Sequence, residues 1–142
     1  MNKEYAIVTD GSCDLPKELC QEKGITVVPF YVSFDGEKYE KEIVEMPIRQ
    51  FYEDMVNNPK VFPKSSMPSV QDYMDAFMPI VQEGKAVICI CITTKFSGSM
   101  QSALNARMMI LEQHPDAEIT VIDATINTVL QGIYVLEAQK MK

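Results

Sequence analysis

The feature that most constrains the fold is an uninterrupted apolar run over residues 86–92. A run without polar alternation is typical of a strand that is buried on both faces of a parallel sheet. Apolar residues at helical spacing flank this run, over 70–83 and 99–113, and supply the crossover connections that parallel strands require. The sequence therefore predicts an α/β fold with a mostly parallel sheet.

The remaining elements follow from the same patterns. Short apolar or β-branched runs predict further strands over 5–9, 25–34 and 118–122. Asp35–Gly36 is a favoured two-residue hairpin turn, so we expect residues 38–40 to return as a short charged edge strand. Further helices are predicted between Asp14 and Gly24, from Met46 to Val56 and over 128–142, with Ser69 as N-cap of the helix over 70–83 and residues 57–68 as a loop. The predicted architecture is a mostly parallel sheet flanked by helices, with a β-hairpin edge.

The charge balance argues against two kinds of partner. The chain has 13 basic and 20 acidic residues, so its formal net charge is −7. Nucleic-acid surfaces need clustered lysine and arginine, and anionic lipid surfaces attract basic segments, so we expect neither partner. An anionic ligand would have to be held by local hydrogen-bond donors rather than by the overall field.

The sequence predicts a cytoplasmic protein. No stretch approaches the roughly 18–20 apolar residues of a membrane span, and the first residues do not have the pattern of a secretory signal. We therefore expect Cys13, Cys20, Cys89 and Cys91 to be reduced thiols. Cys89 and Cys91 alternate on a strand and share a face, which we interpret as core packing rather than metal binding.

The domain boundary is predicted near the last helix. Residues 1–124 are expected to form one α/β domain, and 125–142 a helix that leads into a second domain absent from this chain. A broad apolar face motivates this hypothesis, formed by Val129, Leu130, Ile133, Val135 and Leu136. The alternative is a terminal helix packed on its own sheet.

Polar loops follow three of the predicted strands, at the edge where open α/β sheets bind ligands. They comprise residues 10–14, 93–98 and 123–128, and the segment 64–69 could fold over the same edge. Ser97 and Gly98 directly precede a helix, whose free backbone N–H groups favour anions. Gly98 lets a ligand approach the backbone, and Ser97 adds a hydroxyl donor. The alternative is that Ser97 or Ser99 is simply an N-cap.

Catalytic and cofactor chemistries are less favoured by the residues. A serine hydrolase needs a base beside its nucleophile, but Ser97 and the single histidine, His114, would lie roughly 25 Å apart along one helix. A lysine base, Lys95 or Lys64, remains formally open. No glycine-rich dinucleotide or P-loop motif is present, and we expect no metal and no cofactor.

Five motifs in order carry a resemblance to a known family. They are Ile7–Pro16, Gly24–Gly36, Lys64–Ser69, Thr93–Ala103 and Val121–Ala124. Together they resemble the DegV family of bacterial fatty-acid-binding proteins, and they span nearly the whole chain.

The resemblance implies a carrier rather than an enzyme. Members of the family hold a fatty acid between two α/β domains, and the better-known ones present it to a fatty-acid kinase. The carboxylate ligands of the family fall on Ser65 and Ser97 in this sequence. Ser66, Gly98, Thr94 and Ser12 complete the predicted ligand-binding residues, and no catalytic residue is predicted.

Some positions depart from the family pattern. Gly11 stands where the family usually has Ser, Met67 where it often has Gln, and Ser99 where Thr is usual. His114 does not match the histidine that the second domain of the family contributes. That domain also supplies one tunnel wall, so we expect the isolated chain to bind weakly and to expose an apolar face, with a homodimer through that face as one outcome.

Two functions of other classes stay open beside the long-chain fatty-acid carrier. One is a serine-dependent acyl-transfer enzyme, which would lose activity on Ser97→Ala. The other is a regulatory domain without a native lipid, which would purify without bound fatty acid.

Overall fold

A computed structural model describes residues 3–142, which cluster into two compact units. The first unit runs to Val28 and resumes at Pro68, and the second comprises Pro29–Met67. The elements are β1 (Tyr5–Asp10), α1 (Lys17–Lys23), β2 (Thr26–Val28), β3 (Tyr31–Ser33), β4 (Glu40–Lys41), α2 (Ile48–Asn57), β5 (Lys64–Ser66), α3 (Val70–Gln82), β6 (Ala86–Cys91), α4 (Ser99–Gln113), β7 (Ile119–Asp123) and α5 (Thr128–Lys140).

The first unit contains the predicted parallel sheet. Its strands lie in the order β2-β1-β6-β7, and every neighbouring pair is parallel. The apolar run at 86–92 forms β6, which lies between β1 and β7 as its pattern predicted. The fold class expected from the sequence is therefore confirmed.

Helices cover both faces of this sheet because residues along the central strands alternate between two cores. In β1, Ile7 packs into one buried cluster and Val8 into the other. The Val8 core includes the inner faces of α3 and α4, and the Ile7 core includes residues of α1 and α5. Ser69 caps α3 as predicted: its hydroxyl accepts the Asp72 N–H at 3.1 Å, and the Asp72 carboxylate accepts the Ser69 N–H at 2.8 Å.

The cysteines pack as the strand pattern predicted. The Sγ atoms of Cys89 and Cys91 lie 3.6 Å apart, in the same buried core. Burial raises the pKa of Cys13 to about 12, so this thiol stays protonated and unreactive at neutral pH. All four cysteines are free and buried.

Helix α5 packs one face on the sheet and exposes the other. Gln131, Gly132 and Val135 are buried, and a Cβ atom on Gly132 would lie 2.4 Å from the Cys13 carbonyl oxygen. Only glycine permits so close an approach. The outer face exposes four apolar side chains, those of Val129, Leu130, Ile133 and Tyr134. The helix thus packs on its own sheet, and its role as a lead into a second domain stays a prediction.

The second unit contains a small antiparallel sheet in the order β4-β3-β5. The predicted hairpin is present between β3 and β4, within this separate sheet. Residues 34–39 join the two strands, so the expected two-residue turn at Asp35–Gly36 was wrong. The Asp35 carboxylate accepts the N–H groups of Glu37 and Lys38, both at 2.8 Å, and this holds them in the turn. The return strand therefore begins at Glu40, later than the predicted 38–40.

Two boundary predictions in this region were wrong. The expected strand 25–34 is divided at Pro29–Phe30 into β2 and β3, which belong to different sheets. Proline has no N–H to contribute to a strand ladder, so the division falls at Pro29. Within the expected loop 57–68, residues 64–66 form β5, where Ser65 lies opposite Val32 of β3.

No helix of the described chain is long and apolar enough to cross a membrane.

Candidate anion-binding site

Three loops meet at the carboxyl edge of the parallel sheet. The Thr93 N–H donates to the Ile126 carbonyl at 3.1 Å, which joins the loop after β6 to the loop after β7. The Thr128 N–H donates to the Ser12 hydroxyl at 3.3 Å, which joins the loop after β1 to the start of α5. The predicted meeting of these loops at one edge is confirmed.

The loop after β6, residues 93–98, presents hydrogen-bond donors at the start of α4. The Ser97 hydroxyl accepts the Ser99 N–H at 3.1 Å, so its own hydrogen is left to donate elsewhere. Within residues 3–142, the N–H groups of Gly98 and Met100 have no protein acceptor. We call Ser97 O–H, Gly98 N–H and Met100 N–H the loop donors. The N-cap of α4 is Gly98, so the alternative that Ser97 or Ser99 is the N-cap was wrong, although Ser97 accepts the N–H of the first helical residue.

Thr94 and Ser12 brace the same edge. The Thr94 hydroxyl donates to the Asp123 carboxylate at 2.7 Å, so its hydrogen is used within the protein. This bond comes first among the causes that lower the pKa of Asp123, which therefore stays ionised at neutral pH. Ser12 is half-buried and uses its oxygen to accept the Thr128 N–H. A direct role of either side chain in ligand binding stays a prediction.

Ser65 and Ser66 lie on β5 in the second unit, where both are exposed. Successive side chains of a strand point to opposite faces, so these two hydroxyls do not share a face. At most one of the pair faces a given ligand. The predicted convergence of Ser65 with Ser97 stays a prediction.

Three of the four described non-glycine residues with a positive φ lie at the carboxyl edge, and the fourth is Ile43 in the second unit. Asp14, Thr125 and Thr128 have φ angles of 50°, 60° and 53°, in the left-handed region that disfavours non-glycine residues. Such strain costs on the order of 1–3 kcal/mol per residue and tends to occur at functional sites. These loop conformations are thus held by their surroundings.

A buried polar cluster beneath the loop donors was missed by sequence reasoning. Asp10 ends β1 and is fully buried, and its carboxylate accepts hydrogen bonds from Ile92, Ser99 and Gln131. Burial raises the pKa of Asp10, although these hydrogen bonds act in the opposite direction. The available signal was the position of Asp10 directly after an apolar run. Gln131 gave none, because its partners are distant in sequence.

The competing chemistries find little support at this edge. His114 follows the last turn of α4, whereas Ser97 precedes its first turn, so the two residues lie at opposite ends of the helix. Among the residues described, no group of three histidine, cysteine or acidic side chains is arranged to hold a metal ion.

Fold and site together define a parallel α/β domain with a loop of unpaired hydrogen-bond donors at the carboxyl edge of its sheet. Residues 4–142 match the family model described as "uncharacterised protein, DegV family". The chain belongs to the DegV family.

Relatives and solved structures agree with this assignment. The chain is 36% identical, over 97% of its length, to a DegV domain-containing protein of Halalkalibacterium halodurans, and covers 47% of that protein. A stearic acid-binding protein from Eubacterium ventriosum is 47% identical, with a TM-score of 0.94 over 96% of this chain and 47% of that one. A fatty acid binding DegV protein from Bacillus subtilis is 27% identical, with a TM-score of 0.84 over 99% of this chain and 48% of that one. The chain thus spans about half the length of these proteins.

Proposed function

We propose that this chain is a fatty-acid-binding carrier domain that holds a carboxylate at the loop donors. The observation that carries the proposal is the group of three unused donors at the start of α4: Ser97 O–H, Gly98 N–H and Met100 N–H. The chain carries a net charge of −7, so an anion must be attracted by local dipoles. A helix N-terminus with unpaired N–H groups provides such dipoles.

The acyl chain is proposed to pack beside the loop donors. Phe96, which directly precedes Ser97, is 75% exposed despite its large apolar ring. Full burial of about 14 methylenes gains roughly 11 kcal/mol, so apolar contacts outweigh the head group in total affinity. Phe96 supports the proposal because it offers an apolar surface at the position where the chain would leave the head group.

The other predicted residues enter the proposal in supporting roles. Thr94 and Ser12 brace the loops, and Ser65 is proposed as a second carboxylate donor, with Ser66 on the opposite face of β5. We propose no catalytic centre on this chain. In the carrier role, the bound fatty acid would be presented to a fatty-acid kinase.

We also propose that the outer face of α5 is covered in the working protein. Val129, Leu130 and Ile133 expose between 48% and 62% of their surface, on the face opposite the sheet. A contiguous apolar face of this kind marks an interaction surface. The proposed occupant is a second domain that follows residues 125–142. The competing occupant is a second copy of this chain. Analytical ultracentrifugation would then show a homodimer in place of a monomer.

A titration with decanoate, followed by amide chemical shifts, tests the head-group site. This ligand is soluble enough to reveal weak binding, and decanol is the matched control without the carboxylate. The expected result is saturable shifts at Gly98, Ser99 and Met100 with decanoate but not with decanol. Equal responses to the two ligands, or decanoate shifts confined to other segments, would refute the proposed site. In parallel, native mass spectrometry of the purified protein tests for bound fatty acid. A protein that carries none would favour a regulatory domain.

A further inference from the structure

The buried carboxylate of Asp10 holds both ends of the loop that carries the donors. The Ile92 N–H, directly before this loop, donates to Asp10 Oδ2 at 2.9 Å. The Ser99 hydroxyl, directly after the loop, donates to the same oxygen, also at 2.9 Å. One atom thus joins the end of β6 to the first residue of α4, with residues 93–98 between them.

The direction of these hydrogen bonds is fixed by chemistry. The Tyr73 hydroxyl lies 2.6 Å from Ser99 Oγ. When the Asp10 carboxylate is ionised, the single Ser99 hydrogen is directed to it, so Tyr73 donates to Ser99. Asp10 Oδ2 therefore acts only as an acceptor, from two donors at once. A residue without an oxygen at this point would release both ends of the loop.

The other carboxylate oxygen of Asp10 is held by α5. Gln131 Nε2 donates to Asp10 Oδ1 at 2.8 Å and to Thr9 Oγ1 at 3.0 Å. Asp10 and Gln131 are both fully buried, so these bonds are shielded from competition by water. Both oxygens of the carboxylate therefore accept hydrogen bonds, Oδ1 from α5 and Oδ2 from the two ends of the loop.

Stability alone is a poor explanation for an acid at this position. Burying a carboxylate is unfavourable unless it is well hydrogen-bonded, and apolar residues of similar volume often serve a core at least as well. A buried acid whose donors bracket the candidate site has a positional role that an apolar side chain does not fill.

We propose that Asp10 is a positioning residue for the head-group site, acting through Ser99 and Ile92 to hold residues 93–98 in the binding conformation. This inference rests on the proposed function. Asp10 is not proposed to touch the ligand. Its effect on affinity would arise because an ordered loop presents its donors without a further loss of conformational entropy.

Two changes that each remove one hydroxyl, at Ser99 and at its neighbour Tyr73, separate positioning from general stability. Ser99→Ala removes the bond from α4 to Asp10. Tyr73→Phe removes the donor to Ser99, and with it the 3.6 Å contact with Cys91 Sγ, but leaves the bond to Asp10 in place. Asp10→Asn keeps one oxygen to accept from the Ile92 N–H and the Ser99 hydroxyl, and Asp10→Ala keeps none. All four full-length variants are compared by amide hydrogen exchange over residues 93–100, without ligand, and by decanoate titration.

In Ser99→Ala and Asp10→Ala, the exchange rates of the loop amides are expected to rise about tenfold, which corresponds to the loss of one hydrogen bond. Decanoate affinity is expected to fall in parallel. Tyr73→Phe is expected to keep wild-type loop exchange although its thermal stability falls, and Asp10→Asn to restore most of what Asp10→Ala loses. Unchanged loop exchange in Ser99→Ala, or an equal rise in Tyr73→Phe, would overturn the inference. A wild-type protein that binds no decanoate would refute the proposed function instead, and the exchange data would still decide the positioning role.

Discussion

Replacing Ser97 by alanine should weaken carboxylate binding far more than it weakens the fold. The change removes one of the three loop donors and also the oxygen that accepts the Ser99 N–H at 3.1 Å. A hydrogen bond to a charged group contributes about 1.5–3 kcal/mol, so the dissociation constant should rise roughly 10- to 100-fold. Loss of a helix-start acceptor costs only about 1 kcal/mol of stability.

Ser69→Ala is the matched control for this stability loss. Ser69 caps α3 by accepting the Asp72 N–H at 3.1 Å, so its removal costs a similar amount, about 1 kcal/mol. Both variants would be measured by urea unfolding and by decanoate titration. The expected pattern is similar unfolding free energies with weakened binding in Ser97→Ala alone.

The comparison has a clear refuting result. If Ser97→Ala binds decanoate within about twofold of Ser69→Ala, the Ser97 hydroxyl contributes less than a hydrogen bond to a charged group should. The assignment of the loop donors as the head-group site would then be wrong.

Three further predictions concern other parts of the molecule. Burial raises the pKa of Asp10, so the folded state binds the carboxyl proton more tightly than the unfolded state does. The stability that Asp10 contributes is therefore complete below its ordinary pKa and is lost as the pH rises through the raised pKa. The unfolding free energy of the wild type relative to Asp10→Asn should therefore decline from about pH 4 upward, and a flat difference would contradict this. Gly132→Ala would place a Cβ 2.4 Å from the Cys13 carbonyl oxygen, so thermal unfolding should show a loss of about 1–3 kcal/mol; an unchanged midpoint would be inconsistent with the packing of α5. Phe96→Ser should lower affinity for a long-chain fatty acid but leave stability unchanged, because the ring is 75% exposed; unaltered affinity would remove Phe96 from the acyl path.

Elements governed by local chemistry could be predicted from the sequence. The apolar run at 86–92 identified a doubly buried strand, and Ser69 identified the start of α3. Asp35–Gly36 indicated the hairpin but not the length of its connection. Each of these features depends on residues close in sequence. Hydrophobic pattern and capping chemistry were therefore enough to predict the strand and the helix start.

Features that depend on distant partners could not be predicted. Residues 64–66 have no strand-like apolar alternation. They form a strand because their backbone groups pair with the edge of β3 that β4 does not occupy. The contact between Asp10 and Gln131 joins residues separated by 121 positions, so no local pattern indicates it. The loop with Ser97 could be predicted because a serine and a glycine precede a helix. The role of Asp10, which holds both ends of this loop, could not be predicted.

The central claim is that the loop donors grip the carboxylate of a fatty acid. A crystal structure of the protein with a bound long-chain fatty acid tests it most directly. We predict carboxylate oxygens within about 2.7–3.2 Å of Ser97 Oγ and of the Gly98 nitrogen. A head group bound beyond hydrogen-bonding reach of Ser97, with the loop donors facing solvent, would contradict the claim.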